Sequence, residues 1–188
     1  IVTGGTRGIG AAISKELALD GRQVVATYLN SADEAKKFAN ENKNITVLKS
    51  DAGNPVEARK LVAWIHDNIG LIEVLVINAS GRGNAGSSYN SDASEFELQL
   101  ATQFYGPMAL VQEIIPDMKK LMKGSIIAIG SSYALNSPPA NLAPYVVAKS
   151  ALTAWAKCLA VDGGAFGIRA NIVAPGPTET SLLSGMDN

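Results

Sequence analysis

The sequence predicts an α/β protein: an open, doubly wound parallel sheet with helices on both faces, built as a single domain. Three observations carry that prediction. Short β-branched or aliphatic runs alternate with amphipathic helical stretches along all 188 residues. Most of those runs lack in-out alternation, as strands do when both sheet faces are covered. The first run feeds directly into a glycine-rich turn and then a helix, the start of a right-handed crossover unit.

In chain order, the strand candidates are Ile1–Thr3, Gln23–Tyr28, Ile45–Lys49, Val74–Ile77, Ser125–Ile129 and Arg169–Val173. The helices predicted between them are Ile9–Leu19, Ala32–Asn42, Pro55–Asn68, a long one from about Ser94 to Met122, and Tyr145–Phe166. Pro55 suits a first helical turn, where no N–H is needed. Gly106-Pro107 is expected to kink or loosen the long helix. Two stretches read as loops, Gly81–Asp92 and Ala134–Pro144. Both follow carboxyl ends of predicted strands, the edge at which such sheets bind ligands. There is no internal repeat or low-complexity linker to mark a second domain.

Composition narrows the function. Hydrophobic residues make up 47% and charged residues 18%, and 16 basic against 17 acidic side chains leave a net charge of -1. That balance gives no electrostatic footprint for nucleic acid or an anionic membrane. No signal peptide or long apolar span is present in the sequence. One cysteine, Cys158, excludes an internal disulfide and fits a reducing, cytoplasmic setting. In its apolar helical stretch it is expected to be a buried packing residue. The single histidine, His66, excludes a two-histidine zinc site, and no metal is expected. His66 itself is read as a solvent-facing helical residue.

"TGGTRGIG", Thr3 to Gly10, lies between the first strand and the first helix. Glycines at 4, 8 and 10 permit a tight turn and close backbone approach to a phosphate, with free N–H groups and a positive dipole end beyond. This placement points to nucleotide binding. Further along, Tyr145 and Lys149 stand four apart, the spacing that stacks two side chains on one helical face. A free tyrosine titrates near ~10, too high for efficient proton exchange at neutral pH. A neighbouring ammonium would favour the phenolate.

Taken with its neighbours, "TGGTRGIG" resembles the TGxxxGxG turn of the short-chain dehydrogenase/reductase family. "SDAG" around Asp51 resembles the family's aspartate near the adenine. "VLVINASG" resembles its NNAG motif, with Ser80 in the last glycine's place. "YVVAK" matches YxxxK, and "IRANIVAPGPTET" resembles its strand followed by PG. The motifs occur in the family's order over essentially the whole chain. The resemblance implies a Rossmann-like fold and an oxidoreductase acting on a ketone or secondary alcohol, nearest to the 3-oxoacyl-(acyl carrier protein) reductases. It implies a cofactor envelope of Gly4, Thr6, Arg7, Gly8, Ile9, Gly10, Thr27, Tyr28, Asp51, Ala52, Asn78, Ala79, Ser80, Tyr145, Lys149, Pro175, Gly176, Thr178 and Thr180.

The second strand ends in "VVATYLN" with no carboxylate to bind a ribose 2'-hydroxyl. That absence admits a 2'-phosphate, and Arg7 supplies a guanidinium for it. NADP(H) is therefore expected over NAD(H). By resemblance, Tyr145 donates the proton as hydride reaches carbon, and Lys149 lowers its pKa and holds the nicotinamide ribose. A serine hydroxyl should orient the carbonyl. Counting back thirteen residues from the tyrosine lands on Ser132, whereas counting along "GSIIAIGS" from Gly124 lands on Ser131. Loops tolerate insertions better than buried strands, so Ser131 is preferred and Ser132 is the alternative.

The family's helical asparagine, part of a water-linked proton path behind the lysine, falls here on Gln103. That departure leaves room for a second reading, a catalytically weak nucleotide-binding relative acting as redox sensor or structural subunit. A sugar-nucleotide epimerase shares the YxxxK pair but differs in glycine spacing and chain length. The resemblance also implies a homotetramer or homodimer through the helices at Ser94–Met122 and Tyr145–Phe166. The chain opens without methionine inside an apolar run and stops soon after "PGPTETSLL". It is therefore expected to lack native N-terminal residues and a C-terminal segment.

Overall fold

Residues 1–81 and 86–178 are described by the structure, a computed structural model. Five strands are named in chain order: β1 (Val24–Tyr28), β2 (Ile45–Lys49), β3 (Val74–Ile77), β4 (Gly124–Ile129) and β5 (Ile168–Val173). All pair in parallel, β1 with β2, β3 with β4 and β4 with β5. The predicted strand Ile1–Thr3 shortens to a bridge at Val2, because Thr3 already turns into the glycine stretch. Val2 nevertheless pairs on both sides, with Ala26 of β1 and Val76 of β3. It joins the two halves into one parallel sheet in the order β2-β1-Val2-β3-β4-β5. The order reverses at that first segment, which makes its carboxyl edge the topological switch point.

Helices α1 (Gly8–Leu19), α2 (Ala32–Glu41), α3 (Pro55–Asn68), α4 (Ala93–Leu100), α5 (Gly106–Leu121) and α6 (Ala143–Gly163) fill the connections. Successive strand residues face opposite sides, and the core divides accordingly. Val24, Ala26, Val2 and Val76 pack with Phe38 of α2 and, less deeply, with Ile13 and Leu17 of α1. Val25, Leu75, Ile77 and Ile126 pack with α3, α5 and α6 through Leu61, Ile114, Met118 and Leu152. Helices thus cover both faces, as the unbroken apolar strands require.

The long helix expected from Ser94 to Met122 is interrupted, but not at Gly106-Pro107. A π-helical turn occupies Ala101–Tyr105, and α5 restarts at Gly106 with Pro107 in its first turn. There the missing N–H of proline costs nothing. Gly106 is required because the Ala52 carbonyl occupies the place of its Cβ. Such π-turns concentrate at functional sites.

Of two single residues, one departs from expectation. Cys158 is exposed on α6 rather than buried, since Leu152 and Ala156 supply the inward face. His66 is exposed as expected, but its Nε2 also hydrogen-bonds Asp117 Oδ2 at 2.8 Å, tying α3 to α5. The same oxygen accepts from Ile72 N at 2.9 Å. Among the described residues, no helix is long and apolar enough to cross a membrane.

Candidate active site

The glycine turn sits at the switch point and is held from beneath by hydrogen bonds. Gly4 and Gly8 adopt φ of +61° and +51°, the left-handed region that glycine enters without penalty. A Cβ at Gly10 would overlap the Gly4 carbonyl, so α1 could not approach the strand so closely. Gly4 N donates to Thr27 Oγ1 at 3.2 Å. Asn78 Nδ2 donates to Thr3 O at 2.9 Å and to Gly4 O at 3.1 Å. Thr3 Oγ1 in turn accepts from Asn78 N at 2.9 Å and Ala79 N at 3.0 Å.

Three residues in this frame escaped the sequence reading. They are Thr3, Gly5 (whose Cβ would come within 2.8 Å of three neighbours) and Ser14, whose hydroxyl holds Gly5 O at 2.9 Å. Only the second glycine of "TGG" offered a signal. Thr27 belongs to the same frame: it is 2% exposed and turned inward, supporting the turn instead of facing outward.

Several features fit a dinucleotide. The first turn of α1 has neither a side-chain cap nor an acidic residue, so its N–H groups remain available to a phosphate. Arg7, at the N-cap, is exposed and makes no ion pair among the described contacts. Thr6, Ile9 and Tyr28 are half-buried around the turn. Asp51 is exposed, and its Oδ1 accepts from Gly53 N at 2.8 Å, which shapes the loop that carries Ala52. Ser80 Oγ is buried without a protein partner, an orphan hydroxyl that a ligand would satisfy. Gly176 has open space where a Cβ would stand, and Pro175 O accepts from Ser132 N at 3.0 Å. Thr178 Oγ1 donates to Gly176 O at 3.0 Å, and Thr180 lies outside the described residues.

At the end of β4 the chain brings Ser131 to Tyr145. Ser131 is 5% exposed, its Oγ accepts from Tyr133 N at 3.2 Å, and its hydroxyl lies near enough to the Tyr145 phenol to influence its titration. Burial pushes the Tyr145 phenol above its ordinary value, the nearby Ser131 hydroxyl acts to lower it, and Tyr133 adds to the rise. Ser132 is half-buried and forms the start of a 3-10 turn, with its N–H on Pro175 O and its carbonyl accepting from Leu135 N.

Lys149 stands one turn beyond Tyr145, 3% exposed, with Nζ 5.8 Å from the Tyr145 ring centroid. Its ammonium donates to Ile129 O at 2.7 Å. Burial depresses its pKa to about 8. Burial dominates the Tyr145 titration, and the Lys149 ammonium faces a backbone carbonyl.

Gln103 is fully buried in the π-turn. Its Nε2 donates to Gln99 Oε1, while its own Oε1 has no partner. The sequence reading missed Gln99, for which the i, i+4 spacing was the only signal.

Comparison with known proteins decides the family. A family model described as short chain dehydrogenase matches residues 1–187. The chain belongs to the short-chain dehydrogenase family. It is 34% identical over 180 residues to the cyclic-di-GMP-binding biofilm dispersal mediator protein of Escherichia coli K12, covering 96% of this chain and 73% of that protein. It is 32% identical to human dehydrogenase/reductase SDR family member 4, covering 97% of this chain and 66% of the relative. A short chain dehydrogenase from Burkholderia cenocepacia J2315, solved in complex with NADP, superposes with a TM-score of 0.88 at 33% identity, over 96% of this chain and 74% of that one. The chain thus spans roughly two thirds to three quarters of these relatives. Short-chain dehydrogenases are oxidoreductases with a Rossmann-like sheet, and the fold and the glycine turn described above are of that kind.

Proposed function

We propose that this short-chain dehydrogenase interconverts a ketone and a secondary alcohol with NADP(H) in preference to NAD(H). The reading rests on one observation above all: Ser131, Tyr145 and, one turn later, buried Lys149 gather at the carboxyl end of β4, where Lys149 reaches Ile129 O. The NADP carried by the B. cenocepacia relative supports the cofactor assignment.

The turn Gly4–Gly10 and the open first turn of α1 would hold the pyrophosphate, Arg7 a 2'-phosphate, Asp51 and Ala52 the adenine side, and Asn78, Ala79 and Ser80 the nicotinamide half. When bound, the cofactor supplies the hydride. The Ser131 hydroxyl donates to the substrate oxygen and stabilises the charge that develops there. Tyr145 Oη transfers its proton to that oxygen in the reductive direction and recovers one from solvent afterwards. A phenol held above its ordinary pKa keeps its proton at neutral pH but gives it up reluctantly, so the charge of a bound oxidised nicotinamide and of the Lys149 ammonium would be needed to bring it down. Lys149 positions the tyrosine, and its depressed pKa makes its ammonium responsive to mildly alkaline pH. The unpaired Gln103 Oε1 is suited to accept from a buried water behind the lysine. A 3-oxoacyl thioester substrate rests on sequence resemblance, as does assembly into dimers or tetramers through α4, α5 and α6.

The test is NADPH oxidation with a panel of acetophenone, ethyl acetoacetate and 2,3-butanedione, using Tyr145→Phe as control. Turnover with at least one ketone, lost in Tyr145→Phe while NADPH binding persists, is expected. Tight NADPH binding with no turnover of the panel or of a 3-oxoacyl thioester would refute the reading.

A further inference from the structure

We propose that Gly86 is a positioning residue for Tyr145, because its carbonyl caps the helix that carries the tyrosine. Helix α6 begins at Ala143, two residues before Tyr145, and its N-cap residue Leu142 provides no side-chain hydrogen bond. The first N–H groups of a helix have no partner within it and need one from outside. Here the partner comes from a distant part of the chain: Ala143 N donates to Gly86 O at 3.1 Å. The contact is reciprocal, since Gly86 N donates to Asn141 O at 2.8 Å, closing a parallel bridge between Gly86 and Leu142. Asn141 turns its carbonyl into this bridge by adopting φ of +60°, a conformation asparagine tolerates better than most residues.

The same contact explains why position 86 is glycine. The residue is buried, and a Cβ there would overlap Ser91 Oγ while lying 3.2 Å from Glu95 Oε2 and 3.3 Å from Pro144 Cγ. Contact with these groups is what excludes a side chain here. With Ser91 Oγ kept in place, a side chain pushes the Gly86 carbonyl away from Ala143, and the first turn of α6, which holds Pro144, moves or frays with it. Ser91 Oγ is buried without a partner, so removing it relieves the overlap without breaking a hydrogen bond. This gives a paired test.

The inference rests on the reading of Tyr145 as proton donor, and one arm of the test is independent of turnover. NMR hydrogen exchange on the full chain should show the Ala143 amide protected in the wild type. It should be exposed in Gly86→Ala and protected again in Gly86→Ala/Ser91→Ala. In steady-state assays with NADPH and the best ketone of the panel, Gly86→Ala should lower kcat about tenfold or more. Its NADPH Kd should stay within about twofold, and its pH–rate profile should be displaced. The double variant should recover most of both, and Ser91→Ala alone should match the wild type. An unprotected Ala143 amide in the wild type overturns the inference even if Gly86→Ala does not fold. So does an unchanged kcat and pH profile in Gly86→Ala, or equal impairment with and without Ser91→Ala. Absence of any ketone turnover sinks the proposed function, while the exchange data still decide the cap.

Discussion

Replacing Lys149 with methionine should make the protein's stability less dependent on pH, in a direction that follows from burial. The ammonium is almost completely enclosed, and its pKa falls from 10.5 to about 8. At ~1.4 kcal/mol per pH unit, that interval corresponds to about 3 kcal/mol of penalty on the folded state. Below pH 8 both states keep the proton and the folded state carries the full penalty. Between about 8 and 10.5 the folded state releases its proton while the unfolded chain still holds one. The unfolded state then binds more protons, so wild-type stability rises with pH relative to Lys149→Met. Tyr145, which burial holds above its ordinary value, is common to both proteins and does not enter the comparison.

Methionine also loses the bond to Ile129 O, and an unpaired buried carbonyl costs about 1–3 kcal/mol. At pH 7.5 the variant should therefore be as stable as the wild type or more so, by up to about 2 kcal/mol, and at pH 10.5 it should be the less stable. In thermal unfolding, a relative change of about 3 kcal/mol is a swing of roughly 6–12 °C between the two ends of the series. The assay is a paired set of melting curves without cofactor from pH 7.5 to 10.5. Parallel curves, or a variant that gains on the wild type as pH rises, would refute the reasoning. The same variant should lose turnover, so a residue that weakens the fold at neutral pH would be one that activity requires.

Two further outcomes follow from the site. Ser131→Ala should reduce kcat about a hundredfold, as loss of a donor to a developing oxyanion does, whereas Ser132→Ala should stay within about threefold because its backbone supplies its structural contacts; equal effects in ketone assays would reverse the assignment. Arg7→Ala should cut the preference for NADPH over NADH about tenfold or more, since a charge-assisted bond is worth ~1.5–3 kcal/mol, and unchanged dissociation constants for both cofactors in fluorescence titration would remove Arg7 from the phosphate site.

What could be seen in advance divides by the kind of atom involved. The bounds of β2, β3 and α3 match the sequence expectation residue for residue, because unbroken apolar runs and Asn54-Pro55 leave little choice of period. The first strand was overextended: "IVT" is β-branched at both ends of its apolar pair and in isolation reads as three paired residues. Thr3 still gives its N–H to Val76 O, but the pairing ends there, and its hydroxyl takes up Asn78 N and Ala79 N instead. The interruption of the long helix was foreseen and misplaced. Glycine and proline look like the breakers, but glycine at 106 serves the Ala52 carbonyl, and proline at 107 occupies a turn that tolerates it.

Within the candidate site, the sequence marked the residues that the fold gathers: the Tyr-Lys pair, the serine at the strand end and the glycines of the turn. Their partners were not marked, because the partners are backbone carbonyls. Lys149 finds Ile129 O, Asn78 finds Thr3 O and Gly4 O, and Ala143 finds Gly86 O. Every residue carries such a carbonyl, so no letter in the chain marks which one is used. The glycines come nearest to a signature, since each of Gly10, Gly86 and Gly106 is needed where another group occupies the space of a Cβ. A buried glycine outside the phosphate turn is thus the cue to look for a close approach between distant segments. Position 86 meets that description beside the helix that carries Tyr145.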